Sequence, residues 1–177
     1  MAVAAAFVKC GFEIDWIDNR VPHPEFVARN KRTGEQIAVE TKSRHRKGAL
    51  HEEGVLLPEH ELRVDVQWLY REALKQDPKD LPFAVFLDLN LPPHTARGEV
   101  AKWQNEVVQR WKETNDDVAL IGFTNFAWHY RPGDVTLGPE FLLAIPLEIT
   151  PRPLRRAETF HCLRAVLETY GIPANEY

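Results

Sequence analysis

The chain has 177 residues, a formal net charge of −4, 44% apolar residues and 27% charged residues. These values exclude a disordered polyelectrolyte and a uniformly cationic coat, and they suit one domain with its own core better than two. A local basic patch is still compatible with so small a negative balance.

The opening AVAAAFVKCG reads as the last turns of an amphipathic helix stopped by Gly11. No start signal precedes it, so two expectations stand: a short first helix, or more helix upstream in the natural chain or a relative. Its apolar run is short and has no basic region ahead of it, so it reads as helix rather than as a signal peptide. No stretch reaches the roughly 20 apolar residues of a membrane span. The two cysteines, Cys10 and Cys162, are too few for a disulfide framework and fit a reduced compartment. A soluble, cytoplasmic protein is expected.

In GFEIDWID, residues 11–18, Phe12, Ile14 and Trp16 fall on one face and Glu13 and Asp15 on the other, the pattern of a half-buried strand. After NRVPHP, a breaker, EFVARN predicts a second strand, KRTG a hairpin turn closed by glycine, and EQIAVETK a third strand. A long polar loop follows. LRVDVQWLYREALKQ, 62–76, places Leu62, Val66, Leu69 and Leu74 at helical spacing, and FAVFLDLNLPP, 83–93, reads as a strand covered on both faces.

The second half predicts a helix over 97–113, with Val100, Trp103, Val107 and Trp111 as its apolar stripe, then strands over 117–130 and 141–149. A closing helix over 154–171 ends at Gly171, and Pro151 and Pro153 mark a turn before it. The order α-β-β-β-α-β-α-β-β-α implies one α/β domain with a mixed sheet of five or six strands.

Charge at the end of the third strand is the feature an ordinary buried strand does not explain. By the period of two, Glu40 and Lys42 share a face with Ala38, while Ile37 and Val39 share the other. Antiparallel pairing through the KRTG turn brings Glu25 opposite about position 40. Two carboxylates so close repel unless a cation lies between them. Lys42 supplies part of that charge. Mg²⁺, or Mn²⁺ in its place, supplies more, bound by Glu25, Glu40 and the carbonyl of Thr41 with open water positions. The lysine then orients the attacking water or stabilises transition-state charge. Glu-x-Lys alone is common by chance and its ordinary meaning is a surface ion pair, so the Pro-Glu, the glycine turn and the apolar strand carry the weight.

PEFVA…IAVETK resembles the PD-(D/E)xK, or restriction-endonuclease-like, nuclease superfamily. Pro24-Glu25 stands where that family has Pro-Asp, and Glu40-Thr41-Lys42 matches its (D/E)-x-K. The α-β-β-β-α-β order up to residue 90 also matches the family core, so the resemblance covers about half of the chain: a core over 1–93 with a C-terminal α/β extension over 94–177. It implies a Mg²⁺-dependent phosphodiester hydrolase, with Glu25 and Glu40 as metal ligands and Lys42 as the catalytic lysine. Family members often add an acidic residue from the first helix. AVAAAFVKC has none, and Glu13 substitutes only if its face turns inward. Some exonuclease branches carry Gln-x-x-x-Tyr on the next helix; Gln67 and Tyr70 are one residue short of that spacing, so Gln67 alone is carried over.

KSRHRK, 42–47, groups Lys42, Arg44, His45, Arg46 and Lys47 just after the site. Such a run is ordinarily a solvated loop; beside a metal site it predicts phosphate contacts by Arg44, Arg46 and Lys47. Trp128, His129 and Tyr130 follow a strand and could line a substrate groove. Trp103 and Trp111 read as core, and His161-Cys162 lacks a second ligand pair for a metal. The expected activity is cleavage of nucleic acid, most simply DNA. The alternative is an inactive nuclease-fold module that binds nucleic acid or protein. A homodimer, or a piece of a larger defence or repair protein, are compatible settings.

Overall fold

The computed structural model describes residues 2–18, 22–44, 65–89, 105, 109, 116–125, 140–144 and 150–168. The elements bounded within these described residues are, in chain order, α1 (Ala2–Lys9), β1 (Phe12–Trp16), β2 (Phe26–Asn30), β3 (Gln36–Ser43), α2 (Val66–Leu74), β4 (Phe83–Asp88), β5 (Leu120–Asn125), β6 (Glu140–Ala144) and α3 (Ala157–Glu168). Asn105 and Gln109, within the helix expected over 97–113, are helical; the rest of that segment lies outside the described residues. So do Trp128, His129 and Tyr130.

The strands form one mixed sheet in the order β1-β2-β3-β4-β5-β6. The first two pairings are antiparallel, β3–β4 and β4–β5 are parallel, and β5–β6 is antiparallel. The β2–β3 hairpin turns as KRTG predicts. Asn30 Oδ1 accepts from the N–H groups of Arg32 and Thr33, and Gly34 takes the positive φ of 71° that closes the turn. Gly11, at φ 82°, ends α1 in the same left-handed region.

Alternation along β4 divides the core in two. Phe83, Val85 and Leu87 pack under α2 with Ala38, Leu69, Tyr70 and Phe123. Ala84 and Phe86 face the other side, with Phe7 of α1, Phe26, Ile37, Val39 and Leu163 of α3. Every residue from Phe83 to Leu87 is buried, as a strand sandwiched between helical layers requires. Trp16 ends β1 half outside this core, 51% exposed, with its ring edge-on to Phe26.

The reading of the two cysteines as too few for a disulfide framework is corrected. Cys10, just after α1, and Cys162, in α3, form a disulfide with their Cα atoms 5.8 Å apart. The two lie 152 residues apart in sequence, so only the packing of both helices on one face of the sheet brings them together. Reduction with dithiothreitol, or Cys10→Ser, should cost about 2–4 kcal/mol of stability. A urea melt with and without reductant measures this.

Glu35 is a second tie on that face. It is 1% exposed, and its carboxylate accepts from the Arg155 N–H at 3.0 Å and the Thr159 hydroxyl at 2.6 Å. The hairpin turn thereby anchors the start of α3. At the N-terminal end of the parallel strands, Arg152 binds Asp77 through both Nη atoms at 2.8 Å, Asp117 through Nε, and the Leu81 carbonyl at 2.8 Å. This end of the sheet is clamped by buried charge. No described helix is long and apolar enough to cross a membrane.

Candidate functional site

At the opposite, C-terminal end of β3, the β2–β3 register pairs Phe26 with Val39, so Glu25 follows next to Glu40. Ala38 belongs to the core under α2, which puts Glu40 and Lys42 on that same face by the period of two. Glu40 is 5% exposed although it is a carboxylate. Lys42 Nζ lies 2.6 Å from Glu40 Oε1, and the Glu25 backbone N–H also donates to the Glu40 carboxylate. Thr41 is half-buried, and its hydroxyl donates to Glu25 Oε2. Glu25, Glu40, Thr41 and Lys42 thus form one connected group, with the two carboxylates close enough to repel.

Burial pushes the Glu40 carboxyl above the usual carboxylate range, and the charge of Glu25 pushes it further; the hydrogen bond and charge of Lys42 oppose both. A carboxyl raised in the folded state binds its proton more tightly there than in the unfolded chain. Its contribution to stability is therefore complete below the unfolded value and is lost as pH rises through the folded value. Without added metal, Glu40→Gln should be more stable than the wild type at pH 7. That advantage should shrink as the pH is lowered toward about 4. Denaturant melts of both proteins across this range measure it.

The remaining expected residues divide. Arg44 follows β3, and its N–H bonds to the Asp88 carbonyl at 3.0 Å, extending the β3–β4 ladder by one step. Gln67 lies in the first turn of α2. Because β3 and β4 are parallel, the crossover through α2 starts at the C-terminal end of β3, so Gln67 belongs to the same end of the molecule as Lys42. Asp65 caps that helix, its carboxylate accepting from the Trp68 N–H at 2.8 Å. Arg46 and Lys47 lie outside the described residues. Glu13 does not turn inward: it is exposed and paired with Lys31, at the other end of its strand.

Two features escape the sequence reading. The Thr41 side chain, to which the sequence reading gave no role, donates to Glu25. Asp88 ends β4 beside Ser43, accepting from the Ser43 and Thr124 hydroxyls at 3.2 Å each. The one signal for Asp88 is an acidic residue in an otherwise apolar run.

Among the described residues, no group of three or more His, Cys, Asp or Glu side chains could hold a metal ion. The donor set still suits Mg²⁺, which takes hard oxygen ligands, often uses only one or two carboxylates and keeps several waters. Glu25 and Glu40 provide two; burial is the main cause that raises the Glu40 carboxyl, and a cation between the two would relieve the smaller contribution of the Glu25 charge. No family model matches the chain, and no curated protein or solved structure does either.

Proposed function

We propose that the chain is a metal-dependent phosphodiester hydrolase of the restriction-endonuclease-like fold that acts on nucleic acid, with DNA as the first substrate to test. The observation that carries this reading is the buried Glu40, beside the charge of Glu25 and held by Lys42 at 2.6 Å, at the C-terminal end of a parallel strand pair. The element order α1-β1-β2-β3-α2-β4 supports it, because that is the order of the family core. The C-terminal ends of parallel strands are also where α/β sheets commonly place ligands.

Glu25 and Glu40 would hold Mg²⁺ or Mn²⁺, with the Thr41 carbonyl beside them. When bound, the ion lowers the pKa of a coordinated water and neutralises phosphate charge. Glu40 keeps Lys42 at the site by their ion pair. Lys42, as a cation, orients the attacking water and stabilises negative charge on the phosphate in the transition state. Arg44, Arg46 and Lys47 follow along the chain and would contact neighbouring phosphates, an attraction that weakens with salt. Gln67 would approach the substrate from the start of α2.

Calorimetric titration of Mn²⁺, combined with plasmid cleavage, tests the proposal. Binding and cleavage together support the nuclease. Binding of nucleic acid without Mn²⁺ binding or cleavage would replace it with the inactive binding module.

A further inference from the structure

Each carboxylate of the site is held by a donor from the β3 segment Glu40-Thr41-Lys42. Lys42 holds Glu40 Oε1, and the Thr41 hydroxyl holds Glu25 Oε2. We infer that Thr41 is a positioning residue whose side-chain hydroxyl fixes the Glu25 carboxylate so that its second oxygen is presented beside Glu40. The inference rests on the metal-site reading above and assigns a role to a group which that reading does not use.

Three observations carry it. Glu25 precedes β2, whose ladder to β3 begins at the Phe26–Val39 pair, so the strand does not fix its side chain. Its backbone is held, the carbonyl accepting from the Ile17 N–H at 3.3 Å, and Pro24 before it is buried. What is left to fix is the rotation of the carboxylate, and among the described side chains Thr41 donates to it. Threonine suits the task because a β-branched side chain on a strand has restricted χ1, so the hydroxyl is already aimed. Partners that orient a metal ligand without touching the metal typically matter by about 10–100-fold in affinity.

The test is Mn²⁺ titration into the wild type, Thr41→Val, Thr41→Ala and Thr41→Ser, with a thermal melt of each. Valine keeps the branched shape and removes the hydroxyl; serine keeps the hydroxyl. The expected result is a Kd raised about 10–100-fold in the valine and alanine variants. Serine should stay within about threefold of the wild type, because it retains the donor and loses only the rotamer restriction. Melting temperatures should be nearly unchanged, since Glu25 is only half-buried and water can replace the lost donor. A structural role would instead shift the melting temperature and leave the Kd of the folded variants unchanged. Alanine is the check if valine disturbs the strand. Wild-type affinity in either hydroxyl-free variant overturns the positioning role alone. No Mn²⁺ binding by the wild type overturns the metal site and this inference with it.

Discussion

Glu40→Ala should abolish metal-supported cleavage, with a loss on the order of 10³-fold or more, and should leave the fold intact. The magnitude follows from the several kcal/mol that a catalytic metal contributes to transition-state stabilisation, at about 1.4 kcal/mol per tenfold. Glu40 is the more buried of the two carboxylates, and its removal leaves Glu25 as the one acidic ligand of the proposed set. The same substitution frees Lys42 from its ion pair. The lysine side chain is 28% exposed and can turn toward water, so no buried charge is left without a partner. The change also removes a carboxylate whose burial opposes its own ionisation. Activity and stability therefore separate: cleavage and Mn²⁺ affinity fall while the melting temperature holds. Plasmid cleavage, Mn²⁺ titration and a thermal melt on one preparation measure all three. Cleavage at the wild-type rate would remove Glu40 from the mechanism.

At the other end of the sheet the opposite result is expected. Arg152→Leu should cost about 3–5 kcal/mol, because it leaves a buried carboxylate without its main partner. Asp77 is 3% exposed and takes two hydrogen bonds from the guanidinium; Lys79, on the surface, holds it from the other side. For a chain of this size that corresponds to about 10 °C in melting temperature.

Burial alone would raise the Asp77 carboxyl, but the hydrogen bonds from Arg152 and Lys79 outweigh it and hold the group below the usual range. A lowered carboxyl contributes stability that is present above the unfolded value and is lost as pH falls through the folded one. The gap between wild type and Arg152→Leu should therefore be full at pH 7 and should close below about pH 4. Urea melts at both pH values measure it. Mn²⁺ affinity should not change, since the clamp and the carboxylates sit at opposite ends of the strands. A gap as wide in acid as at neutrality would mean that lost packing, rather than charge pairing, sets the cost.

Much of this arrangement was legible because it is local. The period of two put Glu40 and Lys42 on one face, and the KRTG turn set the count that brings Glu25 to Glu40. Asn30 and Gly34 supplied turn chemistry readable from residue type. The apolar run at β4 gave a doubly covered strand, although a uniform run could not say which residues face which helix.

What the sequence hid depends on contacts between distant segments. Cys10 and Cys162 read as two thiols in apolar contexts until α1 and α3 lie side by side. Glu35 read as the polar first residue of the third strand, and its burial is decided by Arg155 and Thr159 more than a hundred positions later. Arg152 stood between two prolines and read as part of a turn; its partners come from the end of α2 and the approach to β5. The Thr41 contact escaped for a different reason. Alternation assigns Thr41 to the face away from Glu40, and only the freedom of Glu25 ahead of the first residue of β2 lets the two meet.

The disulfide also bears on mechanical load. Cys10 precedes β1, and Cys162 follows β6, so the covalent link encloses every described strand of the sheet. Tension applied to the chain outside these two cysteines would pass from one sulfur to the other and bypass the sheet. The strand ladders, and the carboxylates held at their end, would carry none of the pull until that bond was broken.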